Sequence, residues 1–281
     1  MGRGACGSRP PGGLDLDRGE LMQPKYPPPT PGVFRITNTE LNILLKCSLM
    51  WQLREDRKSR RITVNMAIGS AVAAGAKLDN LTKMAEGTPA RMSDLVDSGV
   101  EAYKLEVEES EVQESHLEQI KGLSIIPQYM RLYGSRISPR VIEVLAVEEP
   151  IVSAVGEIEI AGTPDVISTS GIGDLKTGKP WDQDRAHNSR QLTIYDILHI
   201  ARFGKPSKLQ WIDSLHSTGH DRYYTVRTAE DHRRIYNVLL NAKRLKESGI
   251  ALPAPEGSWY CSRKYCPYWD VCPVMGGKQK G

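Results

Sequence analysis

Two aspartates and a lysine lie close together in the stretch GTPDVISTSGIGDLKTGKPW, residues 162–181. Apolar residues on either side of a Ser/Thr/Gly cluster predict a β-hairpin there. Asp165 lies near the start of the first strand, and Asp174 and Lys176 lie on one face of the second, because side chains alternate along a strand. If the strands pair across the turn at 168–172, both carboxylates lie at one end of the sheet on the same side.

Such a pair of carboxylates predicts a metal site. Two neighbouring carboxylates repel each other and stay ionised easily only with a cation between them. Oxygen ligands of this kind suit Mg²⁺ or Mn²⁺, which complete their shell with water and substrate phosphates. The Lys176 ammonium would orient or help to deprotonate a water molecule and offset charge on a phosphate. The alternative is an ordinary hairpin with Asp and Lys beside its turn.

A helix predicted between residues 184 and 202 carries a second pair of polar side chains. Gln191 and Tyr195, in QLTIYDIL, are four residues apart and therefore share one helix face. An amide and a phenol on that face could hold a phosphate or a base beside the metal. The alternative is half-buried helix surface.

Cysteines predict a second site, near the end of the chain. SWYCSRKYCPYWDVCP contains Cys261, Cys266 and Cys272, with Cys47 as the best candidate for a fourth ligand. Four thiolates suit tetrahedral zinc or a [4Fe–4S] cluster, and their spacing does not decide between the two. Either would connect residue 47 to the C-terminal segment. The aromatic residues nearby are expected to pack around this cluster, with base stacking by one of them as the alternative: Trp259, Tyr260, Tyr265, Tyr268 and Trp269.

The three motifs together resemble a known family. G-T-P-D at 162–165, D-L-K-T-G at 174–178 and Q-L-T-I-Y at 191–195 are similar, in order and spacing, to PD-(D/E)XK nucleases of the RecB exonuclease branch. One early and three late cysteines resemble the iron–sulfur subgroup of that branch, which includes AddB, RecB-like nucleases associated with CRISPR spacer acquisition, and phage exonucleases. In that subgroup two residues commonly separate the first two late cysteines, whereas four do here.

The resemblance implies a role for each motif residue. It implies three metal ligands: Asp165, Asp174 and the backbone carbonyl of Leu175. Lys176 would be the catalytic lysine, and Gln191 and Tyr195 would lie near the scissile phosphate. It favours [4Fe–4S] over zinc at Cys47, Cys261, Cys266 and Cys272. The branch usually has a histidine metal ligand on an early helix, and here Ala73 occupies that position.

The chain divides by composition into four segments. Residues 1–32 are rich in Gly, Pro and Arg and predict a flexible arm or a docked tail. Residues 33–138 predict a helical lobe, 139–250 an α/β core, and 251–281 a C-terminal cysteine segment that closes onto Cys47. The resemblance makes the fold restriction-endonuclease-like, with a mixed central sheet flanked by helices.

These features predict a metal-dependent DNA exonuclease that acts on single-stranded DNA or DNA ends. A non-catalytic DNA-binding or assembly module that keeps the fold and the cluster is the alternative. The net charge of +3 over 281 residues permits a polyanionic partner without requiring one, so a basic groove would be local. Basic residues near the site could form it: Lys179, Arg185, Arg190, Arg222 and Arg227. Without an apolar membrane span or signal peptide the expected location is the cytoplasm, and the oligomeric state stays open.

Overall fold

The computed structural model of the protein describes residues 25–56 and 61–274. The greater part of the predicted N-terminal arm, residues 1–24, lies outside the described residues. The strands are β1 (Phe34–Thr37), β2 (Arg61–Ile62), β3 (Glu111–Val112), β4 (Val144–Val147), β5 (Ile151–Val155), β6 (Ile158–Gly162), β7 (Val166–Ser168), β8 (Gly171–Thr177), β9 (Gln210–His216) and β10 (Gly219–Thr225). The helices are α1 (Asn38–Lys46), α2 (Ser48–Asp56), α3 (Val64–Glu86), α4 (Met92–Glu109), α5 (His116–Leu132), α6 (Gln183–His187), α7 (Arg190–Phe203) and α8 (Ala229–Glu247).

A five-stranded mixed sheet forms the centre of the fold, in the order β10-β9-β8-β7-β4. β7 and β8 form the predicted antiparallel hairpin, and β8 pairs in parallel with β9. The parallel pair requires a crossover, which α6 and α7 provide. β8 is therefore an inner strand, and its first four residues are buried.

The sheet is covered by apolar side chains on both faces. One core contains Ile172 and Ile212 of the sheet together with Leu192 and Leu198 of α7. The other contains Trp211 and side chains of α3, α4 and α5. Because side chains alternate along β8, Asp174 and Lys176 share the face of Ile172, which is the α7 face.

A second, three-stranded sheet has the order β1-β6-β5. The sequence patterns predict strands in this region but not β1, which pairs in parallel with β6. The Pro-rich segment before β1 is docked rather than extended into solvent. Arg35 donates to the carbonyls of Pro27 and Pro28, and its Nε donates to Glu159, 2.8 Å away.

Local capping signals set the starts of the helices that carry site residues. Thr37 and Glu40 form a reciprocal capping box at the start of α1. Ser189 caps α7, which places Gln191 in the first turn of that helix. Gly204 ends α7 in the left-handed conformation, at φ 72°.

One glycine is required by the hairpin turn. Gly171 has φ +145°, and a Cβ there would lie 1.8 Å from the Leu209 carbonyl oxygen. The turn approaches the start of β9 this closely because the Ile172 amide donates to that same carbonyl, at 3.0 Å. Any side chain at Gly171 would move the hairpin that carries the two aspartates.

No helix in the described ranges combines the length and the apolar character that a bilayer crossing requires.

Candidate active site

The predicted hairpin brings its three charged side chains together. Val166 pairs with Gly173, so Asp165 and Asp174 are the next opposing positions on the two strands. Opposing side chains on antiparallel strands share a face and lie close together. Asp165 Oδ2 accepts a hydrogen bond from the Leu175 amide at 2.7 Å, and Lys176 Nζ lies 2.8 Å from Asp174 Oδ2.

Gln191 and Tyr195 also reach this cluster from α7. Gln191 Nε2 donates to Asp174 Oδ1 and to the Tyr195 hydroxyl, both at 2.8 Å. The Tyr195 hydroxyl donates in turn to the Thr163 carbonyl, 3.1 Å away. The helix-face pair therefore orients Asp174 and connects it to the segment that precedes β7.

Tyr26 extends this chain of hydrogen bonds and was not expected from the sequence. Its hydroxyl lies 2.8 Å from the Thr163 hydroxyl, so the docked Pro-rich segment lies against the site. The isolated Tyr between Lys25 and Pro27 has no spacing relation to the motifs. Only the docking of the segment reveals its position.

Burial opposes ionisation of both carboxyl groups. It raises the pKa of Asp165 to about 7, with the nearby Asp174 charge as the second cause. Burial also raises the pKa of Asp174. For Lys176, burial lowers the pKa, but the charges of Asp174 and Asp165 outweigh it and the net pKa is raised. The lysine is thus an ammonium at neutral pH, paired with Asp174 and also attracted by the charge of Asp165.

The donor set fits a hard divalent cation. Asp174 Oδ2 is buried and meets the Lys176 ammonium at 2.8 Å, so one ammonium faces two carboxyl groups and a cation would compensate the charge of the second. Across residues 25–56 and 61–274, no group of three or more His, Cys, Asp or Glu side chains is arranged to hold a metal ion. Magnesium commonly takes only one or two carboxylates and completes its shell with water and substrate phosphates, so this pair suffices.

A small cavity of about 20 Å³ lies between the carboxylates and α3. Ala73 lines it, at the helix position where the family resemblance places a histidine, together with Asp165 and Asp174. Glu148 lines it as well and forms an ion pair of 3.1 Å with Lys77 of α3. Glu148 follows β4 directly. It belongs to none of the sequence motifs, and its position at the end of a strand is the pattern that could have indicated it.

Two of the five basic residues expected in a DNA groove serve the fold instead. Arg222 Nε makes a buried ion pair with Asp213 at 2.7 Å. Arg227 donates to Gln210 Oε1 at 3.0 Å and to backbone carbonyls of α6. The groove prediction was wrong for both, because their guanidinium groups satisfy buried acceptors. Lys179, Arg185 and Arg190 remain exposed.

The C-terminal segment docks at the corner that carries Cys47, between α1 and α2. The Leu252 amide donates to Ser48 Oγ at 2.7 Å, and the Tyr260 hydroxyl donates to the Lys46 carbonyl at 3.2 Å. Four thiols are free and partly buried: Cys47, Cys261, Cys266 and Cys272. Burial raises the pKa of the Cys266 thiol, with the other three thiols as further causes, but within the described residues the four thiols do not form a metal-ligating group.

The aromatic residues of this segment differ in burial. Tyr268 is 7% exposed and packs inward. Trp259 is 67% exposed and Tyr265 43% exposed, so neither packs inward as Tyr268 does, and their packing around the cysteines stays a prediction. Their rings contact each other at the surface instead, edge to face.

The fold and the site together define a class. A mixed sheet flanked by helices, with Asp165 opposite an Asp-x-Lys strand, is the restriction-endonuclease-like nuclease core. A sequence profile of the PD-(D/E)XK nuclease superfamily matches residues 35–273. The chain belongs to this superfamily.

Solved structures of exonucleases are similar to this chain at low sequence identity. A candidate exonuclease from Eubacterium rectale is 12% identical, with a TM-score of 0.50, and the alignment covers 81% of this chain and 86% of that one. The alkaline exonuclease of Laribacter hongkongensis is 12% identical, with a TM-score of 0.29 and coverage of 66% and 97%. Another structure of that exonuclease, in complex with dAMP, gives 12% identity, a TM-score of 0.32 and coverage of 66% and 93%. A comparison with curated proteins found no match.

Proposed function

We propose that this protein is a metal-dependent deoxyribonuclease that degrades single-stranded DNA or DNA ends as an exonuclease. The observation that carries the proposal is the convergence of Asp165, Asp174 and Lys176 at one end of the sheet, where two carboxyl groups face a single ammonium. A structural ion pair needs only one carboxylate, and a divalent cation would compensate the charge of the second. Superfamily membership gives the same class of reaction.

Asp165, Asp174 and the Leu175 carbonyl would hold Mg²⁺ or Mn²⁺. A divalent cation there supplies a water nucleophile of lowered pKa and neutralises phosphate charge. Hydrogen bonds from neighbouring groups of the chain orient the two carboxylates of this site. The Leu175 amide fixes Asp165, and Gln191 fixes Asp174, so both carboxylates are oriented before substrate binds.

Lys176 stabilises negative charge in the proposed reaction. Because its pKa is raised, it is protonated at neutral pH and offsets charge that develops on the phosphate. Hydrolysis forms one bond from a water oxygen to phosphorus and breaks the bond to the 3′ oxygen, which leaves a 5′-phosphate. The resemblance places Gln191 and Tyr195 near the scissile phosphate, and their hydrogen bonds orient Asp174 there.

The test uses DNA labelled at either end, single-stranded and duplex, with Mg²⁺ or Mn²⁺. Asp174→Asn keeps the shape of the side chain and removes its charge, and Lys176→Ala removes the ammonium. Each is expected to lower the cleavage rate about a thousandfold or more, since several kcal/mol of charge stabilisation is lost. Asp97→Asn and Lys104→Ala are matched controls on exposed positions of α4 and should cleave at the unmodified rate.

Two outcomes would contradict the proposal. If the unmodified protein binds DNA but cleaves none with either cation, the chain is instead the non-catalytic binding or assembly module, and Ala73 is the residue to examine. If cleavage occurs and Asp174→Asn leaves it unchanged, the class of enzyme is right and the site is wrong. Labels on both ends also reveal the direction of digestion.

We also propose that Cys47, Cys261, Cys266 and Cys272 hold a [4Fe–4S] cluster, with zinc as the alternative. The free, partly buried thiols and the docking of the C-terminal segment at Cys47 support this. Anaerobically purified protein should absorb broadly in the visible and contain iron and sulfide, and Cys266→Ser should lose both signals. Stoichiometric zinc without iron would favour the alternative, and neither metal would refute both.

A further inference from the structure

An aromatic cluster at the surface of the C-terminal segment has no core to fill. Trp259 contacts the edges of Tyr260 and Tyr265, with ring centroids 5.6 and 5.0 Å apart and both interplanar angles at 86°. Such edge-to-face contacts hold an indole ring in a fixed orientation. Trp259 is also 67% exposed, so a ligand can reach the ring that these contacts orient.

A cation lies on one side of this cluster. Lys46 Nζ, at the end of α1, lies over the Tyr260 ring, 5.9 Å from its centroid. The Tyr260 hydroxyl donates to the Lys46 carbonyl at 3.2 Å, which ties the cluster to α1. Lys46 is exposed and forms no ion pair with any residue in the described ranges.

The other side of the cluster is electrostatically mixed. Lys264 lies over the Tyr265 ring at 5.3 Å. Lys264 and Arg263 line a cavity together with three acidic side chains, Glu111, Glu114 and Asp270, which offset the two positive charges. A polyanion is therefore attracted to the Lys46 side.

The Lys46 side leads back to the candidate active site through a short series of contacts. Arg190, the residue before Gln191, is exposed and donates to Asn42 Oδ1 at 3.0 Å. Asn42 and Lys46 are four residues apart on α1, so they share a face and lie about 6 Å apart along the helix. In the described part of the chain Arg190 also lacks an acidic partner.

We propose that Trp259 is a stacking platform for a base of single-stranded DNA whose backbone passes Lys46 and Arg190 on its way to Asp174. This inference rests on the proposed function, because it takes a polynucleotide as the substrate. An exposed aromatic ring beside unpaired cations matches the chemistry of single-strand binding, in which the ring stacks on bases and the cations contact phosphates. An apolar protein partner would gain nothing from the cations, and stacked duplex bases could not reach the ring.

The test measures binding separately from cleavage. Fluorescence anisotropy with labelled oligo-dT of about 20 nucleotides, in buffer without divalent cations, gives the dissociation constant. Trp259→Ala should raise it from about fivefold to more than a hundredfold, the range for loss of one stacked base, and Trp259→Phe should restore most of the affinity. Because Trp259 is exposed, both variants should fold as the unmodified protein does, and thermal melting checks this directly.

Two further measurements address the path. Lys46→Gln should reduce the slope of log affinity against log salt by about 0.7, the value for one lost phosphate contact on a single strand. Lys104→Gln, on an α4 face that also carries Glu101 and Glu108, is the matched control and should leave the slope unchanged.

Oligo-dT should quench the intrinsic tryptophan fluorescence, and Trp259→Phe should remove that quenching.

The outcomes separate this inference from the proposed function. If Trp259→Ala binds oligo-dT as the unmodified protein does, or if the unmodified protein binds none, the platform is refuted even where duplex DNA is cleaved. An equal loss of affinity for blunt duplex would refute the single-strand specificity. If binding depends on Trp259 but neither cation supports cleavage, the platform stands and the enzymatic proposal fails.

Discussion

Neutralising Asp165 should stabilise the metal-free protein while abolishing cleavage. Asp165→Asn keeps the acceptor for the Leu175 amide, which now bonds a carboxylate oxygen at 2.7 Å, and removes one of two repelling charges. In the proposed function the two carboxylates hold a cation, and without one their charges repel each other. Function and stability therefore conflict at this position.

The size of this stabilisation follows from the pKa of Asp165. Burial, followed by the charge of Asp174, raises that pKa from 3.8 to about 7. At 1.36 kcal/mol per pH unit this interval corresponds to ~4 kcal/mol of destabilisation by the ionised group. Because Asp165 is partly exposed, water screens part of the charge, and ~2 kcal/mol is the expected gain in the free energy of unfolding above pH 7.

The sign of the pH dependence is specific. A raised pKa means that the folded state holds the Asp165 proton more tightly than the unfolded state does. This contribution is fully present below pH 3.8 and is lost as pH rises through about 7. The variant should therefore be more stable than the unmodified protein at pH 8, and the difference should disappear towards pH 4.

Urea denaturation at several pH values, in metal-free buffer, measures this difference. Added Mn²⁺ should stabilise the unmodified protein, by ~2.7 kcal/mol at a concentration a hundred times its dissociation constant, and should stabilise Asp165→Asn less. Asp97→Asn, at an exposed residue of α4, is the control and should be stabilised by Mn²⁺ as much as the unmodified protein is. A variant that is less stable than the unmodified protein at pH 8, or a stability difference independent of pH, would refute the reasoning.

Three other predictions concern the surroundings of the carboxylates. Gln191→Ala removes the donor to Asp174 Oδ1 and should lower kcat about 10–100-fold in steady-state assays, and it should also lower the melting temperature because a buried acceptor is left unpaired. Ala73→His places an imidazole beside the cavity and should lower the Mn²⁺ concentration for half-maximal cleavage. Ala74→His, one residue further along α3, is the control and should leave that concentration unchanged. Equal effects of the two variants would contradict the assignment of Ala73 to the metal site. Tyr26→Phe loses the hydrogen bond to the Thr163 hydroxyl, worth ~1 kcal/mol, and should speed tryptic cleavage after Lys25, read by mass spectrometry; an unchanged rate would mean that this bond does not hold the segment.

Local patterns predicted the parts of the site that depend on neighbours in sequence. Alternation along β8 placed Asp174 and Lys176 on one face, and the four-residue spacing placed Gln191 and Tyr195 on one face of α7. Both predictions hold because strand and helix periods are set by the backbone itself. The hairpin pairing followed from the turn residues between the two strands.

Contacts between distant segments were beyond these patterns. The docking of Tyr26 beside Thr163, and the pairing of β1 with β6, join segments more than a hundred residues apart. Arg222 looked like a groove residue because its charge is visible in the sequence, whereas its buried partner Asp213 is visible only in the fold. Such pairings depend on the sum of many packing contacts, and no repeating pattern in the sequence indicates them.

The sequence by itself contained the superfamily motif, since Asp165, Asp174 and Lys176 have the residue types and spacing from which we propose cation-assisted phosphodiester chemistry. Only the tertiary structure decided what surrounds that chemistry: the cavity beside Ala73, the path past Arg190 and Lys46, and the exposed ring of Trp259. The physical reason is range. Backbone geometry repeats over two to four residues and can be read locally, whereas burial and charge compensation arise only when the whole chain has packed.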